Sequence, residues 1–126
     1  MEQEVNCFST TEIDLILERS YNRESPEQAV FNVIYCLGRD AENETEFHYA
    51  YSSLLKLLEH PNRDIRAYSI LALSMLAFHW PLDQDRIIPQ IAEEWAAASE
   101  QRKGWLITAA EDLQLLGWDI PLPCLE

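Results

Sequence analysis

Residues 65 to 78, IRAYSILALSMLAF, limit what this chain can fold into more than any other stretch. Wound at 3.6 residues per turn, they leave only Arg66, Ser69 and Ser74 polar, so a helix here is apolar nearly all round and must be covered on several sides. The spacing predicts that it opens at Asn62, after the turn His60-Pro61-Asn62-Arg63-Asp64, and runs to about His79. Trp80-Pro81 closes it, because proline cannot continue the hydrogen-bond ladder. A second apolar run precedes the turn, predicting a helix from about Thr45 to Glu59 with Asn43 and Glu46 at its cap. The two read as a helical hairpin over about residues 44–80.

The flanks repeat the pattern. Ser9-Thr10-Thr11-Glu12 is a capping box, in which a hydroxyl and a carboxylate satisfy free amides at a helix start, and Ile13, Ile16, Leu17 and Tyr21 follow on one face. Ser25-Pro26-Glu27-Gln28 supplies another box with proline at the first helical position. The helix it opens should end near Leu37-Gly38, with glycine in the left-handed C-cap conformation. Downstream, Asp83-Gln84-Asp85 caps a helix bearing Ile87, Ile88, Ile91 and Trp95, in which Pro89 either marks the true start or makes a kink. A turn at Ala98-Ser99-Glu100 leads to a last helix carrying Trp105, Ile107, Ala109, Ala110, Leu113 and Leu116 to Gly117. The apolar tail, residues 118–126, is expected to fold back over it.

These parts align at a fixed offset of 37 residues. Caps of the second helices fall at Ser25, Asn62 and Ser99, and six residues later stand Phe31, Tyr68 and Trp105, aromatic in every copy. First helices keep register as well: Ile13, Leu17 and Tyr21 answer to Ala50, Leu54 and Leu58 and to Ile87, Ile91 and Trp95. A fixed period of this size marks stacked helical units. The expected fold is all-α, one domain over residues 1–126, with six helices in three hairpins at about 9–38, 44–80 and 83–117.

The middle copy resembles a HEAT repeat, whose pattern pairs an L-x-x-L-L run with a short Pro/Asp turn, a hydrophobic-Arg pair and an A-L-x-x-L second helix. Here these are Leu54-Leu55-Lys56-Leu57-Leu58, Pro61-Asn62, Ile65-Arg66 and Ala72-Leu73-Ser74-Met75-Leu76. The outer copies are degenerate, with Ala29 and Lys103 at the position of Arg66, as terminal capping repeats tend to be. The resemblance covers about residues 9–117 and implies a short right-handed α-α superhelix that binds other proteins. Some small bacterial proteins resembling HEAT repeats are immunity proteins that neutralise toxin domains of polymorphic or contact-dependent growth inhibition systems. By that analogy, the partner expected here is a basic toxin domain of nuclease type, held in the cytoplasm by a monomer or weak homodimer.

Charge points the same way. Twenty-two acidic residues against nine basic ones give a net charge of −13, which repels nucleic-acid phosphates and anionic membranes and favours a basic partner. No run approaches the roughly 18 apolar residues of a membrane span, and the N-terminal sequence has no export signal. Cys7, Cys36 and Cys124 are an odd count at unrelated spacings, which supports neither a disulfide framework nor a CxxC metal site and fits a reducing cytosol. His48, His60 and His79 do not share a helix face in the manner of HExxH, Asp83 and Asp85 are accounted for as cap and dipole partners, and no Gly-rich phosphate loop or partnered nucleophile is present. No cofactor, metal or catalytic residue is therefore expected.

In a stack of hairpins, turns within hairpins line one edge and connections between them line the other. The first edge mixes Glu24, Glu27, Asp64 and Glu100 with Arg23, Arg63, Arg102 and Lys103. The second gathers Asp40, Glu42, Glu44, Glu46, Asp83, Asp85, Asp112 and Asp119 against Arg39 and Arg86. Capping explains Asp83, Asp85 and Glu46 but not the remainder, so this acidic edge is the expected docking surface for a basic protein. A second candidate is the polar stripe of the second helices, Gln28, Asn32, Tyr35, Arg66 and Ser69. The alternative function is that of a small adaptor or assembly subunit in a larger cytosolic complex.

Overall fold

The computed structural model describes residues 28–120. Among these it is all helical, with α1 at Gln28–Arg39, α2 at Glu44–Leu57, α3 at Arg63–Leu76, α4 at Gln84–Ala96 and α5 at Glu100–Leu115. The helix expected near residues 9–21, the caps around Ser9 and Ser25, and the end of the tail lie outside the described residues.

Capping chemistry sets the starts. The side chains of Asn43, Asn62, Asp83 and Ser99 accept from backbone amides at Glu46, at Asp64 and Ile65, at Asp85 and at Arg102, each satisfying donors that the first helical turn leaves without partners. Glu46 returns its carboxylate to the Glu42 amide at 2.9 Å, one residue ahead of the expected box. The helix at 84–96 runs through Pro89, so proline does not mark its start. At the end of α5, Gly117 has φ +91°, Trp118 N–H donates to the Leu113 carbonyl and Gly117 N–H to that of Gln114. That is a Schellman cap, with Trp118 and Leu113 both buried as its hydrophobic contact. Ile120 is buried as well, so the start of the tail does turn back onto the helices.

As the apolar run requires, α3 is central. It packs most extensively against α1 and α5 and also meets α2 and α4. Ile65, Ala67, Ile70, Ala72, Leu73 and Leu76 are buried, and so are Ser69 and Ser74, whose hydroxyls donate to the carbonyls of Ile65 and Leu71. Buried hydroxyls satisfied within their own helix let α3 be covered all round without orphaned polar groups. In α1, Val30, Val33, Ile34 and Leu37 form the matching stripe.

Gly38 is a correction. Its φ is not positive and α1 continues through it to Arg39. A Cβ at this position would stand 2.8 Å from Ala72 Cα and closer still to the Ala72 carbonyl oxygen, so glycine is needed here for a backbone-to-backbone approach of α1 and α3 rather than for a left-handed cap. Cys36 is buried, as a cysteine in a helix core would be, but it is disulfide-bonded, with its partner outside the described residues.

The repeat-related aromatics meet. Phe31 and Tyr68 have ring centroids 4.9 Å apart, Tyr68 and Trp105 5.1 Å, and Phe31 and Trp105 5.6 Å. Phe31 against Tyr68 and Gly38 against Ala72 show that α1 and α3 run in the same direction. Asp64 against Arg102 and Tyr68 against Trp105 show the same for α3 and α5. Burial in this cluster, and after it the charge of Tyr35, raises the Tyr68 phenol above its ordinary value. A folded-state value above the unfolded one means that its contribution to stability is complete below a pH of about 10 and is lost as pH rises through the folded value. Urea midpoints should therefore fall above that pH, and fall less steeply in Tyr68→Phe. Equal slopes for the two proteins would remove Tyr68 as the cause.

Candidate partner-binding edge

The α1–α2 connection, residues 40–43, and the α3–α4 connection, residues 77–83, lie at one end of the helices, and aromatic side chains clamp them together. Trp80 stacks on Phe47 with centroids 4.8 Å apart and rings 12° from parallel, and its indole N–H donates to the Ala41 carbonyl at 3.4 Å. One turn further along α2, the Tyr51 hydroxyl accepts from the Asp83 amide at 2.9 Å. Two acidic loops distant in sequence are thus held side by side by a half-buried aromatic stack rather than left to mutual repulsion.

On this frame Glu42, Glu44, Asp83 and Asp85 are exposed, and Asp40 and Glu46 are half-buried. Asp112 is half-buried on the last turns of α5 and Asp119 exposed beyond it. Both stand at the same end, because α3 and α5 are parallel, yet no contact ties them to the other six. Among the described residues, the one cation engaged with an acid of this end is Arg39, which bonds Asp40 at 2.6 and 2.8 Å and lies over the Tyr35 ring at 5.1 Å. Its hydrogen bonds hold the Asp40 carboxyl below the usual carboxylate range. Solvent reaches both side chains, 58% and 39% exposed, so the pair contributes little to stability.

The other end consumes its bases. Arg66 pairs with Glu94 at 3.2 Å and donates to the His60 carbonyl, Arg102 pairs with Asp64 at 2.9 Å and donates to the Ala97 carbonyl, and Lys103 lies over the Trp95 ring. His60 itself is buried in the turn, where its Nδ1 accepts from the Asn62 amide. Two ion pairs thus stand where the hairpins turn, and Arg39–Asp40 alone where they connect, among the described residues.

The second-helix stripe loses its two α3 members as a surface. Ser69 is fully buried, and Arg66 is committed to Glu94, so neither is available to a partner. Asn32 and Tyr35 are exposed on α1, and Gln28 is its first residue. Three exposed apolar residues escape sequence reasoning: Phe78 at 46%, Leu115 at 80% and Leu116 at 38%. Phe78, Leu115 and Leu116 follow or end α3 and α5 at the acidic end, and Phe78 and Leu115 are themselves 37 residues apart. That register is the signal that could have found them; hydrophobicity alone assigns both to the core. Among the described residues no helix is long and apolar enough to cross a membrane and no group of acidic, His or Cys side chains is placed to hold a metal. Comparison with protein-family models, curated proteins and solved structures yields no match.

Proposed function

We propose that this protein is a short HEAT-like array of three helical hairpins that acts by stoichiometric binding, as an immunity-type inhibitor docking its acidic edge on a basic toxin domain. The observation that carries this reading is the division of charge between the two ends: Arg66 and Arg102 are paired with carboxylates at the turns, while exposed carboxylates at the connections stand on a fixed aromatic frame. Such an arrangement steers a basic partner into register and raises its association rate, whereas affinity comes from a few buried anchors. Exposed Phe78, Leu115 and Leu116 at the same end are suited to be those anchors.

The test is charge reversal that leaves the helices capped. Asp83 caps α4 and is spared; Glu42→Lys, Glu44→Lys and Asp85→Lys are combined. Association with a basic toxin domain captured from the native cell and then purified should slow by about tenfold or more at low ionic strength, with the difference shrinking as salt is added. Unchanged association and unchanged salt dependence would remove the acidic edge from the mechanism.

A further inference from the structure

Helices α2 and α4 make at most marginal contact with each other, and beside them runs an open groove of about 470 Å³. His48, Tyr51, Ser52, Leu55 and Lys56 line it from one stripe of α2, three and four residues apart, and Arg86 enters from α4. We propose that this groove binds a small organic anion bearing carboxylate or phosphate groups, held between Lys56 and Arg86.

The reasoning begins with where the cations go. In a chain with 22 acidic and nine basic residues, every base has acids to choose from. Arg39, Arg66 and Arg102 each pair with a carboxylate and Lys103 lies on a ring, whereas Lys56, Arg63 and Arg86 pair with no carboxylate among the described residues; of these, Lys56 and Arg86 face one groove from different helices. Neutral donors stand beside them. Because the Tyr51 oxygen already accepts from the Asp83 amide, its proton is available to a ligand, and the Ser52 hydroxyl is another donor. Leu55 and the Tyr51 ring supply an apolar wall, the usual lining for the carbon frame of a small ligand. Glu59 is the single acid on the groove among the described residues; it lies just past the end of α2 and repels an anion extending that way.

Size follows from the net charge. At physiological ionic strength fields are screened over about 8 Å, so a small anion seated between Lys56 and Arg86 meets fewer of the chain's carboxylates than an extended one does. A long acidic peptide would also meet the exposed carboxylates at Asp83 and Asp85 and be repelled, which favours the small ligand. The site adjoins the acidic edge through Tyr51 and Arg86 but does not depend on the partner proposed for that edge.

The full chain, labelled with ¹⁵N, is titrated at low ionic strength with citrate and with inorganic phosphate, using chloride as the ionic-strength control. Saturable amide shifts are expected at Ser52, Lys56 and Arg86, with at least tenfold weaker binding in the Lys56→Gln/Arg86→Gln variant and no change in an Arg63→Gln/Lys103→Gln control. Tighter binding of citrate assigns the site to carboxylates, and of phosphate to phosphate esters. Shifts no larger than those from chloride, equal shifts around Arg63 and Lys103, or undiminished binding by the double variant would each overturn the proposal.

Discussion

Replacing Arg66 by methionine is expected to destabilise the protein by about 3 kcal/mol, the toll of leaving a buried carboxylate without its cation. Glu94 is 4% exposed, and its carboxylate receives the Arg66 guanidinium at 3.2 Å and the Gln90 side-chain amide at 3.1 Å. Methionine keeps the length of the aliphatic stem but leaves Gln90 as the sole neutral donor. The Arg66 side chain is 19% exposed, so water can reach the gap, and the loss should sit at the low end of the roughly 3–5 kcal/mol found when one partner of a buried pair is removed. Taking out both partners removes the charge altogether, so Arg66→Met/Glu94→Met should recover most of the loss. Urea denaturation decides it. A single variant within about 1 kcal/mol of wild type would show that the pair is superficial.

Gly38→Ala tests a competition between two effects of opposite sign. Helix propensity alone favours alanine by about 1 kcal/mol inside a helix. Against that, the new methyl would enter the backbone of Ala72, with neighbours at 2.8 and 2.9 Å and one nearer, and overpacking a tight core costs about 1–3 kcal/mol or more. Backbone cannot swing aside as a flexible side chain can, so the upper part of that range applies and the net result should be a loss of about 2 kcal/mol. Gly104→Ala is the control: it sits in α5 with nothing within 4 Å of an added Cβ, and should gain about 0.5–1 kcal/mol. Opposite shifts of the two melting temperatures are expected. A stabilised Gly38→Ala would mean that α1 and α3 are further apart than described.

What could be read from the sequence divides along a physical line. The caps at Asn43, Asn62, Asp83 and Ser99 are legible because they are local: an acceptor on one residue reaches an amide two or three residues on. The burial of α3 is legible because an all-round apolar helix has no other solution. Acid crowding at the connections was visible too, since loop composition needs no tertiary knowledge. Gly38 was not legible in its real role, because close approach depends on where α3 crosses α1, and a glycine near a helix end looks the same in either case. Arg66 and Ser69 fail as surface candidates for the same reason. The partner of Arg66 lies 28 residues away, and only the packed arrangement shows that Ser69 points inward. Trp80 was read as a stop signal; its work as the clamp between two acidic loops follows from a stack with Phe47 that no local rule announces.

The three rings of Phe31, Tyr68 and Trp105 fasten more than their own helices. Parallel neighbours lie about 10 Å apart, yet the outer rings reach past the middle helix and meet at 5.6 Å, while α1 and α5 make at most marginal backbone contact. Side chains in one register thus tie three helices at a single point, so loss of the Tyr68 ring would loosen both outer helices at once.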